Sequence, residues 1–72
     1  MYNATVKILT LDKPLLSAAN AQLNGDLYSI YFSPDKKLGY IINPKRAFVN
    51  NEVIITEGPD KIIGKGKVIS VD

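Results

Sequence analysis

Lysines alternate with glycines near the end of the chain, in EGPDKIIGKGKV, residues 57–68, and glycine beside lysine is a common phosphate-binding combination. A P-loop has four residues between its first glycine and Gly-Lys, whereas five separate Gly58 from Gly64, and Gly66 stands where Ser or Thr belongs. The dinucleotide fingerprint fails as well, because Ile69 occupies the position of its third glycine. The spacing therefore excludes both phosphate-binding motifs.

The other reactive side chains offer little for catalysis. Histidine and cysteine are both absent, which removes disulfides, the usual zinc ligands and the common base for a serine nucleophile. A Ser–Lys pairing stays open, but serines and the close carboxylates Glu57 and Asp60 are typical of turns and solvent-facing positions. We therefore predict a protein that is not an enzyme, with no catalytic residue, no metal, no cofactor and no small-molecule substrate.

Basic and aromatic side chains make the better candidate site. Three lysines form a stripe along one face of the last predicted strand, and we expect two basic loops to converge on it, with two tyrosines as stacking surfaces. This composition is typical of barrel faces that bind RNA or single-stranded DNA. Two alternatives are an acidic protein partner and lysines that only keep an edge strand from aggregating. The candidate binding residues are Lys36, Lys37, Lys45, Arg46, Lys61, Lys65, Lys67, Tyr31 and Tyr40.

Composition sets the class of protein. With 72 residues, 46% of them hydrophobic and 22% charged, residues 1–72 are expected to form one small globular domain. A net charge of +2 is too small to indicate a nucleic-acid binder by itself. Packing or a partner subunit must stabilise so short a chain, which leaves self-association open. The first residues match neither a signal peptide nor a membrane span, so we expect a cytoplasmic protein that does not bind membranes.

Alternating apolar and polar residues predict about five strands, at residues 2–11, 27–33, 38–42, 52–56 and 61–71. The second pairs with the third as a hairpin, and the fourth with the fifth, which predicts a small, mostly antiparallel β-barrel or sandwich. Residues 15–25 fit either a hairpin turned by Asn24-Gly25 or a short helix that ends there, and we favour an irregular segment with a helical turn. Phe48-Val49 is expected to pack onto the core from a loop.

The glycines of the last strand have a structural explanation. Ile62, Gly64, Gly66 and Val68 share one face and the lysines share the other, but beyond Val68 the apolar residues change sides. A β-bulge near Gly66 produces such a change, and glycine lets a closing sheet bend or another backbone approach. We therefore expect the glycines to lie at a barrel corner and the lysines to face outward.

VIITEGPDKIIGKGKVISV resembles the closing hairpin of the third, C-terminal β-barrel domain of elongation factor Tu. In that hairpin a strand leads into Glu-Gly, a short turn, a basic residue, a β-branched residue, Gly-x-Gly and a second apolar strand. The matching residues here are Glu57-Gly58, Lys61, Ile63, Gly64, Gly66 and Val68, and ATVKILTL resembles the first strand of that domain. The turn is one residue longer here, and most of the domain's long middle segment is missing.

The barrel of that family contacts transfer RNA and protein partners, whereas its GTPase chemistry lies in another domain. The resemblance therefore implies a stand-alone binding relative without an active site. We predict a non-enzymatic binding module, for a protein partner or for a second copy of itself. The alternative is RNA or single-stranded nucleic-acid binding through the lysine stripe.

Overall fold

The computed structural model describes residues 2–12, 19–58 and 60–72, which form a closed barrel of six β-strands. Around the barrel the strands follow the order β1–β4–β3–β2–β5–β6, and each neighbouring pair is antiparallel. The strands are β1 (Asn3–Leu11), β2 (Ala19–Leu23), β3 (Asp26–Phe32), β4 (Leu38–Ile42), β5 (Glu52–Glu57) and β6 (Lys61–Val71). The predicted all-β, antiparallel class is confirmed, with a barrel rather than a sandwich.

The core fills the barrel with aliphatic side chains from the inward positions of the strands. Ala4 and Val6 are buried on β1, and Ile30 is buried on β3 between the partly buried Tyr28 and Phe32, as the alternation predicts. Burial of a side chain the size of Leu or Ile stabilises a fold by about 1.5–3 kcal/mol. No helix in the described part of the chain is long and apolar enough to cross a membrane.

β2 corrects the prediction for residues 15–25. Ala19–Leu23 is a strand that pairs with β3 through a turn at Asn24 and Gly25, and both turn residues have positive φ, 50° and 84°. Positive φ at both positions defines the type I′ turn that Asn-Gly favours. The favoured helical turn was wrong for this part, because inward Ala19, Ala21 and Leu23 suit the barrel interior. Residues 15–18 lie outside the described residues.

β6 contains two bulges rather than the single one predicted near Gly66. Ile55 pairs with Gly64 and Thr56 with Ile62, so Ile63 is an additional residue relative to β5. Against β1, Ile69 is additional, and Val71 beyond it packs on the core. The predicted change of phase after Val68 is confirmed for Val71 but was wrong for Ile69, which is exposed. The prediction that Ile62 faces inward was wrong, because the first bulge buries Ile63 and leaves Ile62 exposed.

The two glycines of β6 allow β1 to approach closely, as expected. A Cβ on Gly64 would overlap the backbone oxygen of Thr10, and a Cβ on Gly66 would lie 2.8 Å from the backbone oxygen of Lys7. The register between the strands shifts opposite these glycines, where Leu9 of β1 is an additional residue. Gly64 and Gly66 are therefore the positions at which β6 approaches β1 closely and the barrel closes.

The loop between β4 and β5 differs from the prediction. Phe48 and Val49 do not pack on the core but are 65% and 54% exposed, whereas Pro44 and Ala47 are buried. Asn51 causes this arrangement, because its side-chain Oδ1 accepts the backbone N–H of Phe48 at 2.9 Å. The loop turns outward between these two residues.

Candidate functional site

β6 presents three of the predicted binding residues to solvent. Lys61, Lys65 and Lys67 are exposed, on a strand that pairs with β5 on one side and β1 on the other. β6 is therefore not an edge strand, and the explanation of its lysines as protection of an edge was wrong. A closed barrel has no edge for them to protect.

Lys7 of β1 extends this basic surface, although the sequence analysis missed it. Lys7 stands directly opposite Lys67 across the β1–β6 pair, and Thr10 stands opposite Lys65. The sequence already indicated that Lys7 is exposed, because the alternation of the first strand places it on the polar face. It becomes informative only once the first and last strands are known to pair.

The positive charges of this surface are only partly compensated. Directly opposed side chains in an antiparallel pair have Cβ atoms about 4.5–5.5 Å apart, and like charges there are destabilising. Glu52 lies on the other side of Lys67, but within residues 2–12, 19–58 and 60–72 no carboxylate forms an ion pair with Lys7, Lys65 or Lys67. Lys61 differs, because its Nζ lies 4.0 Å from Glu57 Oε1. That exposed pair contributes little to stability.

The register places the two predicted tyrosines side by side. Tyr31 of β3 stands directly opposite Tyr40 of β4, and the two residues are 56% and 37% exposed. Tyr40 in turn stands opposite Thr5 of β1, which pairs with Ser70 of β6. Tyr40 therefore lies on the strand next to Lys7, which is two residues, about 6.7 Å, along β1 from Thr5. Tyr31 lies one strand further around the barrel.

The turn between β3 and β4, which carries Lys36 and Lys37, lies against β1 beside this surface. The backbone N–H of Ile8 donates to the Lys37 oxygen at 2.9 Å, which holds the turn against β1 beside Lys7. Asp35 organises the turn, since its Oδ1 accepts from the Ser33 hydroxyl at 2.6 Å and from the Lys37 N–H at 3.0 Å. The bond from Ser33, followed by that from Lys37, lowers the pKa of Asp35 below its ordinary value. Lys36 is exposed in the same turn and has a positive φ of 59°.

Lys45 and Arg46 lie at the opposite end of the barrel. β4 runs antiparallel to β1, so the turn before β4 lies where β1 ends and the loop after β4 lies where β1 begins. In that loop the Lys45 N–H donates to the Tyr28 hydroxyl at 2.9 Å, and Arg46 Nη2 donates to the Asn24 oxygen at 3.3 Å. The prediction that both basic loops converge on the stripe was therefore wrong for Lys45 and Arg46.

The arrangement suits binding of an anion. Three lysines and two tyrosines lie on four consecutive strands that wrap around half of the closed barrel, and we call this curved surface the lysine–tyrosine face: Lys7, Lys65, Lys67, Tyr31 and Tyr40. Among the described residues, no three acidic side chains are grouped so that they could hold a metal ion. No family model, curated protein or solved structure matches the chain.

Proposed function

We propose that the protein is a non-enzymatic binding module and that single-stranded nucleic acid binds its lysine–tyrosine face. The observation that carries this proposal is the direct opposition of Lys7 and Lys67 in a closed barrel. Two opposed ammonium groups lower the stability of a strand pair. Phosphate groups of a bound ligand relieve that repulsion. Ligand binding therefore explains why two lysines stand opposite each other, whereas protection of an edge strand does not.

The aromatic pair favours a single strand over a duplex. Exposed tyrosines stack on bases only when the bases are unpaired and splayed out, as in single-stranded RNA and DNA. Tyr31, Tyr40, Thr5 and Ser70 form one row across β3, β4, β1 and β6. Three of the six strand spacings are half of the barrel's circumference. In the proposed complex a single strand therefore wraps around this half of the barrel, so that its bases stack where it crosses β3 and β4 and its phosphates contact the lysines where it crosses β1 and β6.

Fluorescence anisotropy with labelled oligouridylate and oligothymidylate of about 12 nucleotides tests the proposal, a length within the usual range of small barrels. We expect affinity to fall as salt rises, with a slope of about −0.7 for each neutralised phosphate, or about −2 for three lysines. Lys7→Gln should weaken binding and reduce that slope by about 0.7. Tyr31→Ala and Tyr40→Ala should each cost about 1–3 kcal/mol of binding free energy.

Lys45→Gln is the matched control, because it removes the same charge at the opposite end of the barrel. It should leave both the affinity and the salt slope nearly unchanged. Absence of binding at low salt overturns the proposal. Equal effects of Lys7→Gln and Lys45→Gln would show that the protein attracts polyanions through its net charge and has no defined face.

Three expectations from the sequence stay predictions. These are the relationship to the elongation factor Tu barrel, the cytoplasmic location and the binding of a protein partner or a second copy. The last of them concerns another part of the surface, where apolar side chains are exposed.

A further inference from the structure

The loop between β4 and β5 holds two apolar side chains in solvent at one end of the barrel. Phe48 and Val49 form its tip, and the exposed Ile69 follows Val68, whose backbone bonds to Asn50 and Asn51 of the same loop. Exposed apolar side chains that cluster in this way mark interaction sites more often than single exposed ones do. The clustering therefore needs an explanation that the lysine–tyrosine face does not provide.

Hydrogen bonds fix the loop tip in its outward position. Asn50 N–H donates to the Val68 oxygen at 2.8 Å, and Asn51 N–H donates to the Phe48 oxygen at 3.0 Å. Asn24 Nδ2 donates to Asn51 Oδ1 at 2.9 Å, which ties the loop to the β2–β3 turn as well. Such a loop loses little conformational entropy when it binds. Most of the free energy gained from the contacts of Phe48 and Val49 therefore contributes to the affinity.

The charges around the loop tip are self-complementary. The exposed cations Lys45 and Arg46 precede the tip in the same loop, and Glu52 follows it. The chain's last described residue, Asp72, lies at the same end, where its N–H donates to the Asn3 oxygen. A two-fold contact places the same surface of both subunits face to face. If its axis passes between the cations and the carboxylates, the cations of one copy meet the carboxylates of the other.

We infer that the loop tip is the contact of a symmetric homodimer, with Phe48 and Val49 of each copy packed against those of a second copy. The contact lies at the end of the barrel that carries Lys45 and Arg46, away from Lys65, whereas Lys67 stands beside Glu52 and borders the contact. Association also suits a small chain that contains no cysteine, because such chains commonly gain stability from oligomer formation.

Sedimentation velocity over protein concentrations from micromolar to submillimolar tests the inference. The mass should rise with concentration from 7.9 kDa toward twice that value. The double variant Phe48→Ser, Val49→Ser should raise the dimer dissociation constant by at least about tenfold, or 1.4 kcal/mol. Lys45→Glu should weaken the dimer at low salt and have less effect at high salt, because salt screens exposed charges.

Ile62→Ser is the matched control, since Ile62 is 59% exposed on β6 beside the β5–β6 turn, at the other end of the barrel from the loop tip. It should leave the dimer unchanged, and the double variant should keep the affinity of the monomer for oligouridylate. A 7.9 kDa species at every concentration overturns the inference, as does a dimer that survives in the double variant. A monomer that sediments with anionic lipid vesicles only when Phe48 and Val49 are present would identify a membrane as the occupant and overturn it too.

Discussion

Gly64 illustrates at the scale of one residue how the barrel depends on a missing side chain. Alanine there would place a Cβ against the backbone oxygen of Thr10 and 3.2 Å from Leu11 Cα. Backbone atoms inside a strand pair cannot rotate away, so β1 must shift. We expect Gly64→Ala to lower the free energy of unfolding by about 1–3 kcal/mol, the usual cost of overpacking. Urea denaturation followed by circular dichroism measures the loss.

Gly39→Ala is the control for that experiment. A Cβ on Gly39 would lie 2.6 Å from Ile30 Cδ1, which is the end of a side chain and can move. We therefore expect a smaller loss of stability than for Gly64→Ala. Losses of the same size at both positions would show that the cost comes from replacing glycine in a strand and not from the close approach of β1.

The strand pair β1–β6 is the element in which stability and binding oppose each other. Lys7→Gln removes the repulsion with Lys67 and leaves no buried group unpaired, because both side chains are exposed. At low salt we expect the variant to be more stable than the natural protein by a few tenths of a kcal/mol, near the lower end of cross-strand pair energies. The same variant binds oligouridylate more weakly. Thermal unfolding at two salt concentrations measures the gain.

Salt provides the internal control for this prediction. Screening shortens the range of the repulsion from about 10 Å at 0.1 M to about 3 Å at 1 M salt. The advantage of Lys7→Gln should therefore shrink at 1 M salt. A variant less stable than the natural protein at low salt would mean that the aliphatic part of Lys7 contributes packing that outweighs the repulsion.

Elements with a clear local pattern were predictable from the sequence. The alternation in β1 and β3 identified their buried faces, and Ile30 and Val6 lie inside as expected. β2 was not predictable with the same ease, because its alanines suit a helix as well as a strand and only the pairing with β3 decides between them. Phe48 was misplaced for a similar reason, since the hydrogen bond that turns the loop outward comes from the side chain of Asn51.

The candidate site was only partly predictable, because it depends on closure of the whole barrel. Local patterns identified the exposed lysines of β6 and the two tyrosines, but no local pattern states which strands are neighbours. Lys7 belongs to the site because β1 pairs with β6. Lys45 and Arg46 lie at the other end of the barrel because the loop after β4 lies where β1 begins. Contacts between residues far apart in sequence therefore determine which basic side chains share a surface.

Closure of the whole molecule has a consequence for hydrogen exchange. In a closed antiparallel barrel each strand has a bonded neighbour on both sides, so amides at the paired positions are bonded whichever neighbour they face. We expect the β1 amides that face β4 and those that face β6 to exchange at similarly slow rates, as core strands do. Amides beside the register shifts, at Leu9, Ile63 and Ile69, should exchange faster. Exchange followed by two-dimensional NMR in deuterated buffer separates these groups, and an open sheet would instead leave one flank of two strands unbonded and exchanging rapidly.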